Sequence, residues 1–591
     1  MKQINLIITL LLLANIVVGQ NNVKFNLTNV PAIENARVGI RGNEKPLSWQ
    51  NTFFLSANDE AYIGELSFEN NTTFFEYKYV IEDNNGNVTY ELDGQENRLG
   101  IFTNLAELTL NDNWDIQPEY DVQNLPLIPV ENLKEDAEIL GKALWELHPG
   151  VERYQDSIAY FSNLYELKIA FTEPVSYARA YKEISKFVAT LKCGHTFANP
   201  FNQTGFINNI ILNQKDKLPF GVEWFKGRLF ITKNATDNNS FSSGTEIIAI
   251  NGMPIKALAD SLLALTKGDG SNDAKRFSDL NVVGYDYYEM FDVYLPLIIS
   301  PEKGFYELTV ISEEGLTRVE KVAAIERNKR NGILQKRYNS IPSSIEETWE
   351  YKLLDDKIAY LKLGTFSVWD FKIDWKKFLN AAFREFDKAK AEKLIIDIRG
   401  NEGGADEVLE ELRQYIQKVD CNVKNFDERL RYTRVSDELQ PYIFTWDRSV
   451  LDFSGRVRKN ENGSYSFVNG NTKTTTYNRS RKAFQGDIYL LVNAANSSAT
   501  FYLAKYFKDC SFGKIVGATT GGSKKGINGG NVLFLRLPNS KIEVDIPIFG
   551  QFNDYEIDEG IKPDIPVDRT FEDLKSGRDG QLERLITKLN E

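Results

Sequence analysis

Ile488-Tyr489-Leu490-Leu491-Val492-Asn493-Ala494-Ala495-Asn496-Ser497-Ser498-Ala499-Thr500-Phe501-Tyr502-Leu503-Ala504-Lys505-Tyr506 is the stretch from which the rest of the chain is read. It opens with an apolar run, the mark of a buried strand. A turn of small and polar residues follows. Phe501, Ala504 and Lys505 then begin a helical pattern that continues toward Phe507. Two serines therefore stand where a strand hands over to a helix. The first N–H groups of a helix have no acceptor within it, and the macrodipole favours negative charge there. A serine at this point fits two roles. Its hydroxyl can cap the helix. It can also attack a carbonyl while nearby amides hold the oxyanion.

Upstream, Lys393-Leu394-Ile395-Ile396-Asp397-Ile398-Arg399 reads as a second buried strand, followed by Gly400-Asn401-Glu402-Gly403-Gly404 and a helix near Ala405-Asp406. Ile358–Leu363 is a strand and Trp375–Ala389 a helix. Downstream come Lys514–Gly517, strands near Val532–Leu535 and Ile542–Ile546, and Gly560-Ile561-Lys562-Pro563-Asp564. Alternating strands and helices over 345–570 predict an α/β core. A polar, turn-rich insertion at 421–482 interrupts it, with a hairpin at its Gly- and Asn-rich tip, 460–471. Residues 571–591 read as a C-terminal helix.

The remainder divides by period. Residues 20–115 alternate apolar and polar between Asn, Asp and Gly turns, which predicts a small β-sandwich. Residues 130–205 are helical and contain both histidines of the chain, His148 and His195. His148 lies at a helix end before Pro149, where its charge suits the dipole. His195 follows Gly194 in a loop able to face a cleft. Residues 215–325 read as short strands with a helix near Ala257–Leu265.

The 591 residues carry a formal charge of -13, so no basic surplus exists to neutralise nucleic-acid phosphates. Residues 1–19 have a Lys near the start and a short apolar run, a signal-peptide pattern that predicts export to the periplasm, cell surface or exterior. No later segment is apolar enough to span a membrane. Three cysteines, Cys193, Cys421 and Cys510, allow one bridge and leave at least one thiol free. With two histidines and three cysteines, a zinc site of the usual kind is not expected, and no metal or cofactor is called for.

Several of these pieces together resemble the tail-specific, C-terminal processing serine peptidases. Ile395–Gly404 is similar to their strand-loop motif, Ser497-Ser498-Ala499-Thr500 to their nucleophile segment, and Gly517–Gly522 and Gly560–Asp564 to the segments after it. Leu218-Pro219-Phe220-Gly221-Val222 and Ser243–Ile255 resemble the PDZ domain embedded in that family. The likeness implies a ClpP/crotonase-like core and hydrolysis of peptides or proteins through an acyl-enzyme. It implies Ser498 as nucleophile, with Ala499 and Gly403 or Gly404 as the oxyanion hole. In one branch a lysine soon after the serine is the base, and Lys524 stands near that place. In the tricorn-core branch a distant histidine serves, and Gly194-His195-Thr196 matches it; His195 is preferred because an imidazole titrates near neutrality. That branch uses a late glutamate to orient the histidine, which points to Glu559 or Glu556. Phe220 and Gly221 would form the loop that binds a peptide. Asp397 and Arg399 are expected to pair and fix the loop. Residues 20–115 also resemble a starch-binding-type carbohydrate module, through Val38–Gly42, Pro46–Trp49, Phe75–Val80, Tyr90-Glu91 and Glu96-Asn97-Arg98, with Tyr90 where that family has Trp. A glycan is the partner this implies. The competing reading of the whole is a non-catalytic ligand- or glycan-binding protein on the same fold.

Overall fold

The computed structural model describes the chain from Gln20 to Glu591 except residues 32–34, 59–60, 70–71, 73, 94–96, 103–106, 119, 121, 286, 339–340, 343, 356 and 471–473. The expected signal peptide lies outside the described residues, as do Glu96 and Asn471. Among the described residues no helix is long and apolar enough to cross a membrane.

Two compact units divide the chain. One comprises residues up to Leu127 together with 205–210. It is a β-sandwich. One sheet runs in the order Ser56–Asn58, Ala61–Glu69, Gln20–Thr28 and Glu107–Asn113. The other joins Phe53–Phe54, Ala36–Gly42, Phe74–Asp83 and Val88–Tyr90, with Arg98–Ile101 pairing the first residues of Phe74–Asp83. Alternation puts Val23, Phe25 and Leu27 inward from one sheet and Phe75, Tyr77 and Tyr79 inward from the other. Phe68 stacks on Phe75 at 4.3 Å between ring centroids. Arg98 is fully buried, and Glu91 and Asp112 neutralise it.

The second unit, residues 128–204 and 211–591, holds everything else. Helices Val130–Leu147, Ser157–Ile169 and Tyr177–Ala189 come first. Asp156 and Ser176 cap the latter two, each accepting a backbone N–H with its side chain. A sheet ordered Phe220–Phe225, Arg228–Asn234, Glu246–Ile250, Phe305–Ile311 and Thr317–Ala323 follows, with the helix Ile255–Leu263 after its third strand.

The core sheet runs Trp349–Leu353, Ile358–Leu363, Lys393–Asp397, Asp487–Val492, Lys514–Gly517 and Ile565–Pro566. All neighbours are parallel except the first pair. Its strands are buried on both faces, which is why they read as unbroken apolar runs. Leu394, Ile396 and Leu490 pack with the helices Trp375–Lys388, Asp406–Ile416 and Ala499–Cys510; Ile395, Leu491 and Val516 pack with Gly580–Asn590 on the other side. The C-terminal segment is two helices, Phe571–Ser576 and Gly580–Asn590, where one was expected, because Gly577 ends the first at φ 66°. The insertion carries the expected hairpin at Val457–Lys459 and Tyr465–Phe467. A disulfide joins Cys421 to Cys510 at the end of the Ala499–Cys510 helix, and Cys193 is free and buried.

One register decides where chemistry is located. Lys393–Asp397 and Asp487–Val492 are neighbours, with Asp397 opposite Leu491. The loops after their carboxyl ends, 398–405 and 493–498, are therefore adjacent. Sites in parallel sheets form there.

Candidate active site

The turn between the strand Asp487–Val492 and the helix Ala499–Cys510 is stitched to the glycine loop by its polar side chains. The Asn496 amide donates to the carbonyls of Ile398 and, at 2.9 Å, Asn401, while its oxygen accepts the Asn493 N–H at 2.7 Å. Thr500 Oγ1 donates to Asn401 O at 2.9 Å. Ser497 Oγ donates to Glu402 O at 3.2 Å. Asn493 Oδ1 accepts the Gly400 N–H at 3.1 Å. Asn401, Asn496, Ser497 and Thr500 are all buried, so these bonds close groups that would otherwise be left without partners.

Ser498 is the exception. Its hydroxyl makes no cap bond and no other hydrogen bond among the described residues. Its backbone sits at φ 52°, ψ -130°. A residue with a Cβ enters that region at a cost of roughly 1–3 kcal/mol, so the surroundings must enforce it. The bonds of Asn496, Ser497 and Thr500 supply that constraint. The capping role weighed for these serines is thus not taken up by Ser498.

Gly403 and Gly404 adopt φ 111° and 137°, conformations open to glycine. A Cβ on Gly403 would lie 2.8 Å from Ser498 Cβ and 3.0 Å from Ala499 N, so the loop touches the serine turn directly. The Gly403 N–H is engaged by Asn401 Oδ1 at 2.9 Å. That removes it as an oxyanion donor. The N–H groups of Gly404 and Ala499 have no acceptor among the described residues. Asp397 and Arg399 pair at 2.6 Å as expected, and Asp579 completes the Arg399 contacts.

His195 lies in the loop after Tyr177–Ala189. Its Cε1 is 3.9 Å from where a Gly529 Cβ would be. Its Nδ1 is buried without a hydrogen-bond partner among the described residues. Burial pushes its pKa below the ordinary imidazole value; the Asp269 carboxylate opposes that shift, Lys267 and Lys275 add to it, and Glu402 opposes it. The ring is therefore neutral at pH 7. Glu402 acts on both: its charge favours the imidazolium form of His195, its carbonyl accepts from Ser497, and the next residue lies against Ser498. Burial works against the Glu402 charge, but Lys275 at 3.0 Å and Lys267 at 4.0 Å outweigh it and hold the carboxylate ionised.

His148 corrects the sequence reading. It is fully buried, not a charged helix terminus. Its Nδ1 accepts the Gly150 N–H at 3.1 Å, so Nε2 carries the proton to Thr196 Oγ1 at 2.9 Å, and Thr196 donates on to Cys193 Sγ at 3.2 Å. Burial, reinforced by the charges of Arg153 and Arg431, lowers its pKa to about 3.

The other residues expected at the site have the following partners. Glu559 is bound by Lys524 and Lys562, each at 2.8 Å, and Glu556 is exposed. Neither is among the charges that act most on His195. Lys524 Nζ donates to Glu559 Oε1 at 2.8 Å. At the sheet edge meant for a peptide, Val222 exchanges two backbone bonds with Val282, at 3.0 and 2.8 Å, and the Trp224 N–H donates to Asn281 Oδ1. Phe220 is buried against Phe241, and Gly221 pairs with Lys233. An open strand edge is a template for another strand, and here the chain fills it itself. Glu289 fastens the filling segment by accepting the Val283 and Gly284 N–H groups.

Sequence reasoning passed over Asp269, Lys275 and Glu402. A signal for the first existed: Asp269 stands between Gly268 and Gly270, a carboxylate on a loop with room for close backbone approach.

Residues 357–567 match the model of Peptidase family S41, and residues 214–278 match that of a PDZ domain. No curated protein matches. Among solved structures, mature CPAF shares the fold, with a TM-score of 0.52 at 15% identity over 77% of this chain and 96% of that one. The photosystem II D1 C-terminal processing protease aligns at a TM-score of 0.36 and 14% identity over 74% of this chain and 93% of that one. The tricorn protease aligns at 0.29 and 12% identity over 88% of this chain and 40% of that one.

Proposed function

We propose that this chain, whose residues 357–567 form a Peptidase family S41 domain and whose residues 214–278 form a PDZ domain, is an exported serine endopeptidase acting through an acyl-enzyme. The family makes it a serine peptidase, and its substrate a peptide or protein. Ser498 is the nucleophile and His195 its base. The Ser498 oxygen bonds to the scissile carbonyl carbon as its proton passes to the neutral imidazole. The oxyanion accepts hydrogen bonds from Ala499 and Gly404, in line with the helix dipole. His195 then gives its proton to the departing amine. Water repeats the sequence to release the acid.

The observation that carries this reading is the condition of Ser498: in a turn whose other polar side chains are engaged, one hydroxyl is left free on an enforced, unfavourable backbone. Such strain is a mark of functional turns. Export is supported by the pattern of residues 1–19 and by the Cys421–Cys510 bridge, which persists in oxidising compartments. A fluorophosphonate probe tests the reading. Wild type and Ser497→Ala should be labelled and Ser498→Ala should not. Labelling that survives Ser498→Ala would refute it.

A further inference from the structure

The loop after the Ile255–Leu263 helix lies along the loop that carries His195. The Gly270 N–H donates to Lys192 O at 3.0 Å, Lys192 Nζ donates to Ser271 Oγ at 3.1 Å, and the Gly194 N–H donates to Asp269 Oδ1 at 2.9 Å. The last contact is tight: a Cβ on residue 194 would lie 2.8 Å from Asp269 Oδ2. Asp269 is thus pressed against the backbone immediately before the imidazole.

Its surroundings, like those of Asp136 and Asp545, hold no cation bonded to it among the described residues. Asp269 is 3% exposed, and among the described residues it forms no ion pair. Taking a carboxylate out of water without a cation is costly unless hydrogen bonds replace the lost solvation. The charges that act most on His195 are Asp269, Lys267, Lys275 and Glu402. Glu402 has its charge offset by the two ammonium groups beside it. Asp269 has no such offset.

We propose that Asp269 is the positioning residue of the catalytic base: it fixes the loop that presents His195 and stabilises the imidazolium formed when Ser498 gives up its proton. This rests on Ser498 and His195 being the nucleophile and base. The neighbouring cation then exists only while the proton is on the ring, which is when the carboxylate is compensated. Asp269 lies within residues 214–278, the segment matched to a PDZ domain. That segment therefore contributes to the catalytic apparatus. Asn272 Nδ2 donates to Thr520 O at 3.0 Å, and Ser271 N–H donates to Asp558 at 2.9 Å, so the same loop is anchored to the peptidase core.

The test is the rate at which a fluorophosphonate phosphonylates the full-length protein, with loss of fluoride, as a function of pH, for wild type, Asp269→Asn, Glu559→Gln and Ser498→Ala. Asparagine keeps an acceptor for the Gly194 N–H and removes the charge. For Asp269→Asn the plateau rate should fall about tenfold or more and the acid limb should move to lower pH, because the ring loses the charge that favours its proton. Glu559→Gln should match wild type within about twofold. The thermal midpoint, read in parallel, should be close to that of wild type. An unmoved acid limb in Asp269→Asn, whether the plateau falls or not, overturns the proposal and leaves Asp269 a structural residue. Labelling of Ser498→Ala fails the catalytic reading itself, and is told apart from the first outcome by that variant alone.

Discussion

Around His148 every polar atom has a partner: one ring nitrogen accepts from Gly150, the other meets Thr196, and Thr196 continues to Cys193. Around His195, in the same helical segment, one ring nitrogen is buried with nothing to bond, and charges of both signs stand near. The serine turn repeats the contrast. Ser497 is engaged by Glu402, while its neighbour Ser498 is free. A closed network makes a residue part of the scaffold. An unclosed one, held rigidly by closed neighbours, leaves a group able to react.

The contrast breaks most sharply at the two serines. Ser498→Ala should lower peptide hydrolysis by about 10⁴-fold or more, the scale at which removing a nucleophile acts. Ser497→Ala should retain most of the rate. A mixed peptide library assayed with both variants decides it, and comparable losses in the two would erase the distinction.

The histidines come next. His195→Ala should cost about 10³-fold or more in kcat while leaving stability nearly unchanged. His148→Ala should do the reverse, losing about 2–4 kcal/mol of stability through the hole it leaves and the Thr196 and Gly150 groups it strands. Urea unfolding and kcat measured on both variants would show the exchange of roles.

A smaller effect sharpens the same comparison through pH. The folded protein keeps His148 neutral down to about pH 3, whereas the unfolded chain protonates it near 6.5. Between those values the unfolded state binds one more proton, so stability present above pH 6.5 is lost as pH falls, by about 2 kcal/mol at pH 5. His148→Gln should remove that portion of the acid sensitivity in urea midpoints taken at pH 7.5 and 5. Activity should fall on the acid side as well, below the ordinary imidazole value, because His195 is neutral until then.

The smallest effect is expected at Glu559→Gln. Its carboxylate serves a surface pair with Lys524 and Lys562, so hydrolysis rates should stay within about twofold. A large loss would return Glu559 to the neighbourhood of the base.

Much of this was readable along the chain. Apolar runs reveal parallel strands because such strands are buried on both faces, and Gly403 and Gly404 reveal a loop because their backbone angles exclude side chains. Ser498 could be found from its place between a strand and a helix. Its preference over Ser497 came from likeness, and the structure adds a hydrogen-bond reason. The place of the late glutamate came from likeness alone; that Glu559 meets Lys524 and Lys562 across the loop is not recorded in the linear order. The filled edge at Val222 was hidden because backbone pairing with Val282, some sixty positions on, leaves no side-chain signature.

What the sequence determined by itself is local: periodicity, turn chemistry and the composition of the glycine loop, each set by residues near one another in the chain. What only the tertiary structure decided is which polar groups are left over. Whether a histidine is neutralised like His148 or poised like His195, and whether a carboxylate meets lysine like Glu559 or stands uncompensated like Asp269, depends on partners brought from distant segments. Burial and charge act through space, and the linear order of residues does not record those distances.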